Sequence, residues 1–323
     1  MVAELDAEIE NTIRGEYRKM TAGIYIVAND KVKENTIALL NSIRLRDRDI
    51  PVYMIPFNEA YHDTASILAE KHNVQVFPDL ELLETFTQNI AEIFDRDFLA
   101  LPNKMRKLVA WFGPLDEFLY IDTDIIIFEK ISERLSYLSD YGFICCDYHH
   151  SGRGINDIFS QTVIDENIFT SEELQDVFNS GFWGSTKAAL SEETLYSLLK
   201  ECAAHRNYFD FSSNVTDQPI INYIVLKAIP KRLNLVKLPE GIPGSWAGSN
   251  HFEERDRILY DKGKPLMYLH WAGTPMRSGG PYRELWRYYR YLGETNPPAD
   301  PPAPKPEPQW KQKMRTLKKK IMG

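Results

Sequence analysis

The chain has 323 residues, 43% of them hydrophobic and 12% aromatic, enough to bury one large core or two modest ones and too apolar for a disordered chain. Its formal net charge of -8 argues against a nucleic-acid-binding protein, in which phosphate contacts leave a basic imprint. Cys145, Cys146 and Cys202 show no CxxC spacing, so they read as small buried hydrophobes of a reducing compartment and not as a disulfide framework.

No apolar run approaches the roughly 18 residues that mark a membrane span. The opening residues Met1 to Asp6 lack a basic region followed by an apolar one. The expectation is a cytoplasmic protein made without a cleaved signal.

Residues 1–20 are polar and acid-rich, with Leu5, Ile9 and Ile13 four apart, which predicts a short amphipathic helix outside the main domain. The domain itself is expected over 21–293. Its first strand is Gly23 to Val27, ending in Ala28-Asn29-Asp30. A helix follows from about Asn35, which can cap it, with Ile37, Leu40 and Ile43 facing inward. Next come a strand over Val52 to Phe57, a helix over Thr64 to His72, a strand over Val74 to Phe77, and a long helical stretch carrying Lys104, Arg106 and Lys107. Strands alternating with helices predict an α/β domain with a mixed, mostly parallel central sheet flanked by helices. In such sheets ligands bind at the carboxyl ends of the strands.

The next strand, Phe118-Leu119-Tyr120-Ile121, runs into Asp122-Thr123-Asp124 and resumes as Ile125-Ile126-Ile127-Phe128. Ionised groups inside an aliphatic run are costly unless paired or bound to a metal. In an extended segment the side chains at i and i+2 share one side, so both carboxylates can address one divalent cation. The pair is not a calcium loop, because Ile125-Ile126-Ile127 replaces the alternating ligands and glycine that such a loop needs.

Another apolar strand ends in an acid at Asp147, and Cys145-Cys146-Asp147-Tyr148-His149-His150 follows. A zinc site is excluded there: adjacent cysteines on a strand point to opposite faces, and no second ligand pair stands at finger spacing. His149 and His150 are candidates for an acceptor pocket. The proline-rich stretch 294–309 reads as a semi-rigid linker that ends the globular domain near Tyr291. In the tail 310–323, Trp310, Met314, Leu317 and Ile321 fall on one helical face among six cations and no acid. That pattern suits a helix on an anionic membrane surface or a solvated basic tail.

Five elements together resemble family 8 of the glycosyltransferases, retaining enzymes of the GT-A fold, over roughly Gly23 to Arg277. Leu119-Tyr120-Ile121-Asp122-Thr123-Asp124 is similar to the family's strand and Asp-x-Asp pair. Phe178-Asn179-Ser180-Gly181 resembles its Asn-x-Gly element, Asp217-Gln218 its Asp-Gln segment, and His270-Trp271-Ala272-Gly273 its His-x-x-Gly element. Lys107-Leu108 with Trp111 resembles its Lys-Leu-x-x-Trp element.

The resemblance implies a hexosyltransferase-like enzyme that moves a sugar from a nucleotide-sugar donor, a UDP-sugar favoured, to a hydroxyl of a glycan or lipid-linked acceptor. It implies Mn²⁺ (or Mg²⁺) held by Asp122, Asp124 and His270, with Asp122 also near the ribose. Asn179 would lie close to the donor sugar, and Asp217 and Gln218 would face the reacting sugar; Asp217 is equally suited to a supporting acid or a helix cap. Lys107, favoured over Arg106, would serve the phosphates. Ala28, Asn29 and Asp30 would contact base or ribose, and Thr123 and Gly273 would line the donor site. The family commonly has a Lys and Pro-Trp after Gly273, whereas this chain reads Thr274-Pro275-Met276-Arg277-Ser278, with Arg277 as the replacement cation.

The residues support this chemistry in their own right. A nucleoside diphosphate leaves only if its developing charge is neutralised, and a cation bridging both phosphates does this; an imidazole ligand beside two carboxylates favours Mn²⁺ over Mg²⁺. Retention by a covalent intermediate and retention by same-face attack are both open. Two rivals share the architecture: a nucleotidyltransferase, which normally carries a glycine-rich loop where this chain has Ala28-Asn29-Asp30-Lys31-Val32, and a non-catalytic sugar-nucleotide-binding relative.

Overall fold

The computed structural model describes residues 20–148, 150, 154–210 and 217–303. The expected N-terminal helix, His149 and the basic tail lie outside them. In chain order the domain contains β1 (Ala22–Ala28), α1 (Lys33–Arg44), β2 (Val52–Pro56), α2 (His62–His72), β3 (Gln75–Val76) and α3 (Leu80–Ile93). A run of 3-10 turns over Pro102–Phe112 precedes β4 (Glu117–Ile121), β5 (Ile125–Ile127) and β6 (Phe143–Cys145). There follow β7 (Phe182–Thr186), α4 (Glu192–Ala204), α5 (Asp217–Ala228), β8 (Arg232–Asn234), β9 (Glu253–Arg255), β10 (Ile258–Asp261), β11 (Lys264–Pro265), β12 (Tyr268–His270) and α6 (Arg283–Arg290).

Seven strands form the central sheet in the order β3-β2-β1-β4-β7-β6-β8. Every neighbouring pair is parallel except those of β7, which runs against β4 and β6. The expected mixed, mostly parallel sheet is therefore present. Period-two alternation splits the core between its faces. Phe118 and Tyr120 of β4 join one apolar layer with Trp111 and Trp183, while Leu119 and Ile121 join the other with Ile24, Ile26 and Phe182. Trp183 stacks on Trp111 at 4.7 Å and on Tyr120 at 5.2 Å between ring centroids, so the strand that leads to Asp122 is clamped from one side by large rings.

The local expectations are corrected in four places. Asn35 lies inside α1 and does not cap it; Asn29 caps the turn before it by accepting from the Lys31 N–H at 3.1 Å. The stretch carrying Lys107 is a series of 3-10 turns and not a continuous α-helix. Asp122-Thr123-Asp124 is a turn between β4 and β5, not an extended segment. The chain does not part from the domain at Tyr291, because Asp300 is bonded to Arg283 and Arg287 of α6. Among the described residues no helix is long and apolar enough to cross a membrane.

Candidate active site

Strand pairing assembles the site. Ile121, the last residue of β4, pairs with Phe182 at the start of antiparallel β7. Asp122 thus leaves the sheet beside Gly181, and its N–H donates to the Gly181 carbonyl at 2.8 Å. Beyond the turn, β5 pairs with β12 so that Ile125 lies opposite His270, and the Trp271 N–H donates to the Asp124 carbonyl at 3.0 Å. The two acids therefore converge through the turn and not through strand alternation.

One ligand atom from each of Asp122, Asp124 and His270 lies within 4.8 Å of the others. His270 Nε2 faces Asp124 Oδ1 at 3.2 Å. A Cβ built on Gly181 would fall 2.3 Å from His270 Cε1, 2.9 Å from its Nε2 and 3.0 Å from Asp122 Oδ2, so glycine alone leaves His270 and Asp122 room. Gly181→Ala is expected to lower Mn²⁺ affinity about 10- to 100-fold, the usual cost of disturbing a ligand's support, with the fold retained. Titration calorimetry checks it, and wild-type affinity would refute the packing argument.

Charge at the group is unbalanced in favour of a cation. Lys107 Nζ, buried beneath the turn, contacts Asp217 Oδ2 at 2.7 Å and Asp122 Oδ1 at 3.3 Å, donates to the Ser180 carbonyl at 3.4 Å and lies 4.7 Å from the Tyr120 ring centroid. The Tyr120 hydroxyl donates to Asp122 Oδ1 at 2.5 Å. With His270 neutral, Lys107 in contact and Lys104 at the cavity wall face the three carboxylates Asp122, Asp124 and Asp217, a surplus of one negative charge in a partly desolvated cleft. Such a surplus is costly unless a divalent cation offsets it.

The titration directions follow. Burial raises the Asp122 carboxyl and the Asp124 charge adds to this, against the pull of Lys107. At Asp124 burial also works upward, but His270 outweighs it and the pKa is lowered. Burial works against the Asp217 charge as well, and Lys107 prevails to lower it. His270 is raised, because Asp124 outweighs burial. A protonated imidazole cannot ligate, so Mn²⁺ affinity is expected to fall on acidification, starting above the ordinary histidine value of about 6.5. Calorimetry at stepped pH tests this; affinity constant down to pH 5 would exclude His270 as a ligand.

Two adjoining cavities share Asn179, Gln218, His270 and Ala272. The one that holds the acids, about 360 Å³, is also lined by Lys104, Lys107, Asp217 and Gly273. The Asn179 side-chain oxygen accepts from the Gly181 N–H at 3.0 Å, and Gln218 Oε1 accepts from the Ser180 N–H at 3.2 Å. Their carbonyl ends thus shape the loop, and their amide nitrogens are the groups left to a ligand. Asp217, the first residue of α5, accepts from the Ser180 hydroxyl at 3.2 Å. Asp147, at the end of β6, is buried and accepts from the Asn179 N–H at 2.7 Å and contacts His150 Nδ1 at 2.5 Å. The larger cavity, about 610 Å³, is bordered by His150, Asp157 and the exposed rings of Tyr148 and Trp246.

Other residues expected at the donor make these contacts within the chain. Arg106 is buried with its guanidinium on the Pro56 carbonyl (2.9 Å), the Thr87 hydroxyl (2.8 Å) and Glu84 (2.7 Å), a brace between β2 and α3. Asp30 accepts from the Thr64 N–H at 2.8 Å and so caps α2; Asn29 caps its own turn; Ala28 is fully buried. Val27 and Phe57 line the acid-bearing cavity in their place. Thr123 and Arg277 line neither cavity, and Arg277 is exposed. Sequence reasoning missed Tyr120 and Trp246, which look like an ordinary strand residue and an ordinary loop residue; the spacing of Tyr120 two before Asp122 was the available signal.

No protein-family model and no curated protein sequence matches the chain. Among solved structures it is similar to that of WbbM, a bifunctional glycosyltransferase in its apo form, with a TM-score of 0.53 and 13% identity over 86% of this chain and 51% of that one. It is also similar to mouse xyloside xylosyltransferase 1 in its apo form, with a TM-score of 0.50 and 14% identity over 66% of this chain and 84% of that one. The chain spans about half the length of the first of these. The likenesses show the fold: an α/β domain of the GT-A glycosyltransferase type.

Proposed function

We propose that the protein is a metal-dependent glycosyltransferase that moves a sugar from a nucleotide-sugar donor to a hydroxyl acceptor with retention of anomeric configuration. The observation that carries this reading is the convergence of Asp122, Asp124 and His270 at the carboxyl edge of β4 in a GT-A fold, where open α/β sheets bind ligands. The three would hold Mn²⁺ or Mg²⁺. When bound, the cation supplies positive charge to the diphosphate as it leaves.

The chain's own residues do the remainder. Lys107 holds Asp122 and Asp217 in place, and Asp217 steadies Ser180. The amides of Asn179 and Gln218 stand where the two cavities meet and bracket the hydroxyls of the transferred sugar. Asp147 fixes the Asn179 backbone and orients His150. The larger cavity is the acceptor side, and its exposed Tyr148 and Trp246 suit the apolar face of a sugar ring, since fixed aromatic rings in a polar cleft are a typical means of binding half-apolar ligands. With the basic segment 310–323 on an anionic membrane, that glycan would be surface-borne or lipid-linked.

The test is donor hydrolysis across UDP- and GDP-sugars with Mn²⁺, Mg²⁺ or EDTA. Turnover that needs the metal and is lost in EDTA supports the reading. Turnover indifferent to EDTA removes the metal role, and binding of metal and donor without turnover identifies a non-catalytic relative.

A further inference from the structure

The loop from His270 to α6 contains Gly273, which lines the acid-bearing cavity, and Met276 to Gly280, which do not. Two contacts of the Ser278 hydroxyl join this loop directly to the chain that follows α6, and Arg283 and Arg287 of α6 join that chain to the helix. Asp300 accepts from Arg283 Nη2 at 2.6 Å and from Arg287 Nη1 at 3.1 Å, and from the Ser278 hydroxyl at 2.5 Å. The Ser278 hydroxyl also contacts the Pro301 carbonyl. Arg283 Nη1 donates to the Met276 carbonyl at 3.1 Å, so one guanidinium holds loop and following segment together. Gly279, at φ +73°, leaves no room for a side chain, since an added Cβ would lie 2.9 Å from the Ala303 methyl.

Arg283 and Arg287 are only 13% and 15% exposed, and Asp300 is the carboxylate they share. Removing that carboxylate leaves two half-desolvated cations without it, and among the described residues the segment keeps only the Arg287 contact to the Pro298 carbonyl at 2.7 Å and the Ser278 contact to the Pro301 carbonyl. Ser278, five residues from Gly273, then loses one of its two outer contacts, and Arg283, which holds the Met276 carbonyl three residues from Gly273, loses the carboxylate that fixes it.

We infer that Asp300 is a positioning residue for the donor side of the active site: it straps residues 298–303 across the loop and so sets where the Gly273 backbone meets the donor. This rests on the glycosyltransferase reading for its effect on turnover, but the strap itself can be read without turnover. A loop held ready binds a ligand without the cost of ordering it, so loss of the strap falls on donor affinity first.

In the full-length protein Asp300→Asn is expected to raise donor KM about tenfold, with a much smaller change in kcat and in acceptor KM, and Asp300→Glu to restore most of it. Hydrogen exchange of the amides of 272–282, measured without donor, is expected to quicken in Asp300→Asn while β1 and β4 exchange as in the wild type. Unchanged exchange in 272–282 overturns the strap even if no sugar donor is ever turned over. Equal losses in donor and acceptor kinetics, tracking the folded fraction, would make Asp300 merely structural. Should Asp300→Asn not fold, Ser278→Ala, which removes one tie and leaves the ion pairs, is expected to show the same donor-selective shift in smaller measure, and equal effects on both substrates would again overturn the proposal.

Discussion

Asp124→Asn is expected to lower kcat/KM on the order of 10³-fold, the scale of removing a preorganised charge partner of a leaving group, and to melt no lower than the wild type without metal. The two halves of this result have one cause. Asp124 stands beside Asp122 in a group with surplus negative charge, and its charge helps to raise the Asp122 pKa. Deleting it relieves that repulsion but forfeits the charge pairing with His270 that lowers the Asp124 pKa; asparagine still offers His270 an acceptor, so the two effects offset. A residue whose loss destroys activity while sparing stability is held for function at the expense of the fold. Steady-state kinetics with Mn²⁺ and a metal-free melt measure both; a melt several degrees lower with activity kept would make Asp124 structural.

Lys107→Met is expected to be the most damaging single change to stability, at about 3–5 kcal/mol, the usual cost of removing one partner of a buried ion pair. Two carboxylates lose the same counter-charge, and at the Nζ position the methionine would meet those carboxylates beside the Tyr120 ring. The pH dependence should change sign. In the wild type the Asp217 pKa is lowered, so its contribution is present above the unfolded carboxylate value near 4 and is lost as pH falls through the folded value. Without Lys107, burial acts on Asp217 against only the weaker pull of Lys104 and a backbone N–H and is expected to lift its pKa above the unfolded one. Its contribution is then present at low pH and lost as pH rises. Denaturant unfolding at pH 4 and pH 7 reads this directly. Mn²⁺ is expected to recover part of the loss, because a cation offsets Asp122 but does not reach the Asp217–Lys107 contact. A variant as stable as the wild type at pH 7 would refute the charge account.

Up to Asp147 the order of strands and helices was legible because it rests on hydrophobic period and on strand-ending acids, which are properties of each segment alone; β7 to β11 beyond it were not read. The candidate metal group was legible for a related reason: Asp122 and His270 each close an apolar run, Asp124 opens one, and Asp122 follows β4 while His270 ends β12. Local chemistry the sequence did not reveal is informative. Asn29 and Asp30 end β1, where contacts to base or ribose are expected, and each also caps the following turn or helix through one side-chain oxygen, a local use that a ligand contact would have to share. Arg106 and Lys107 are adjacent cations of similar promise, and the irregular 3-10 turns send one to Glu84 and the other to Asp122 and Asp217.

By itself, then, the sequence determined the strands of the first half up to Asp147, which of their ends carry acids, and that the acids at Asp122 and Asp124 need a counter-charge. Only the tertiary structure decided who supplies it. The pairing of Ile121 with Phe182 puts Gly181 against Asp122, the pairing of Ile125 with His270 closes the ligand group, and the return of Asp300 onto α6 ties down the loop beyond. Period and residue type are set within a dozen residues, whereas these contacts join segments from 17 to about 150 positions apart. Which partner wins among several chemically equal candidates is settled by register and packing, which no local pattern encodes.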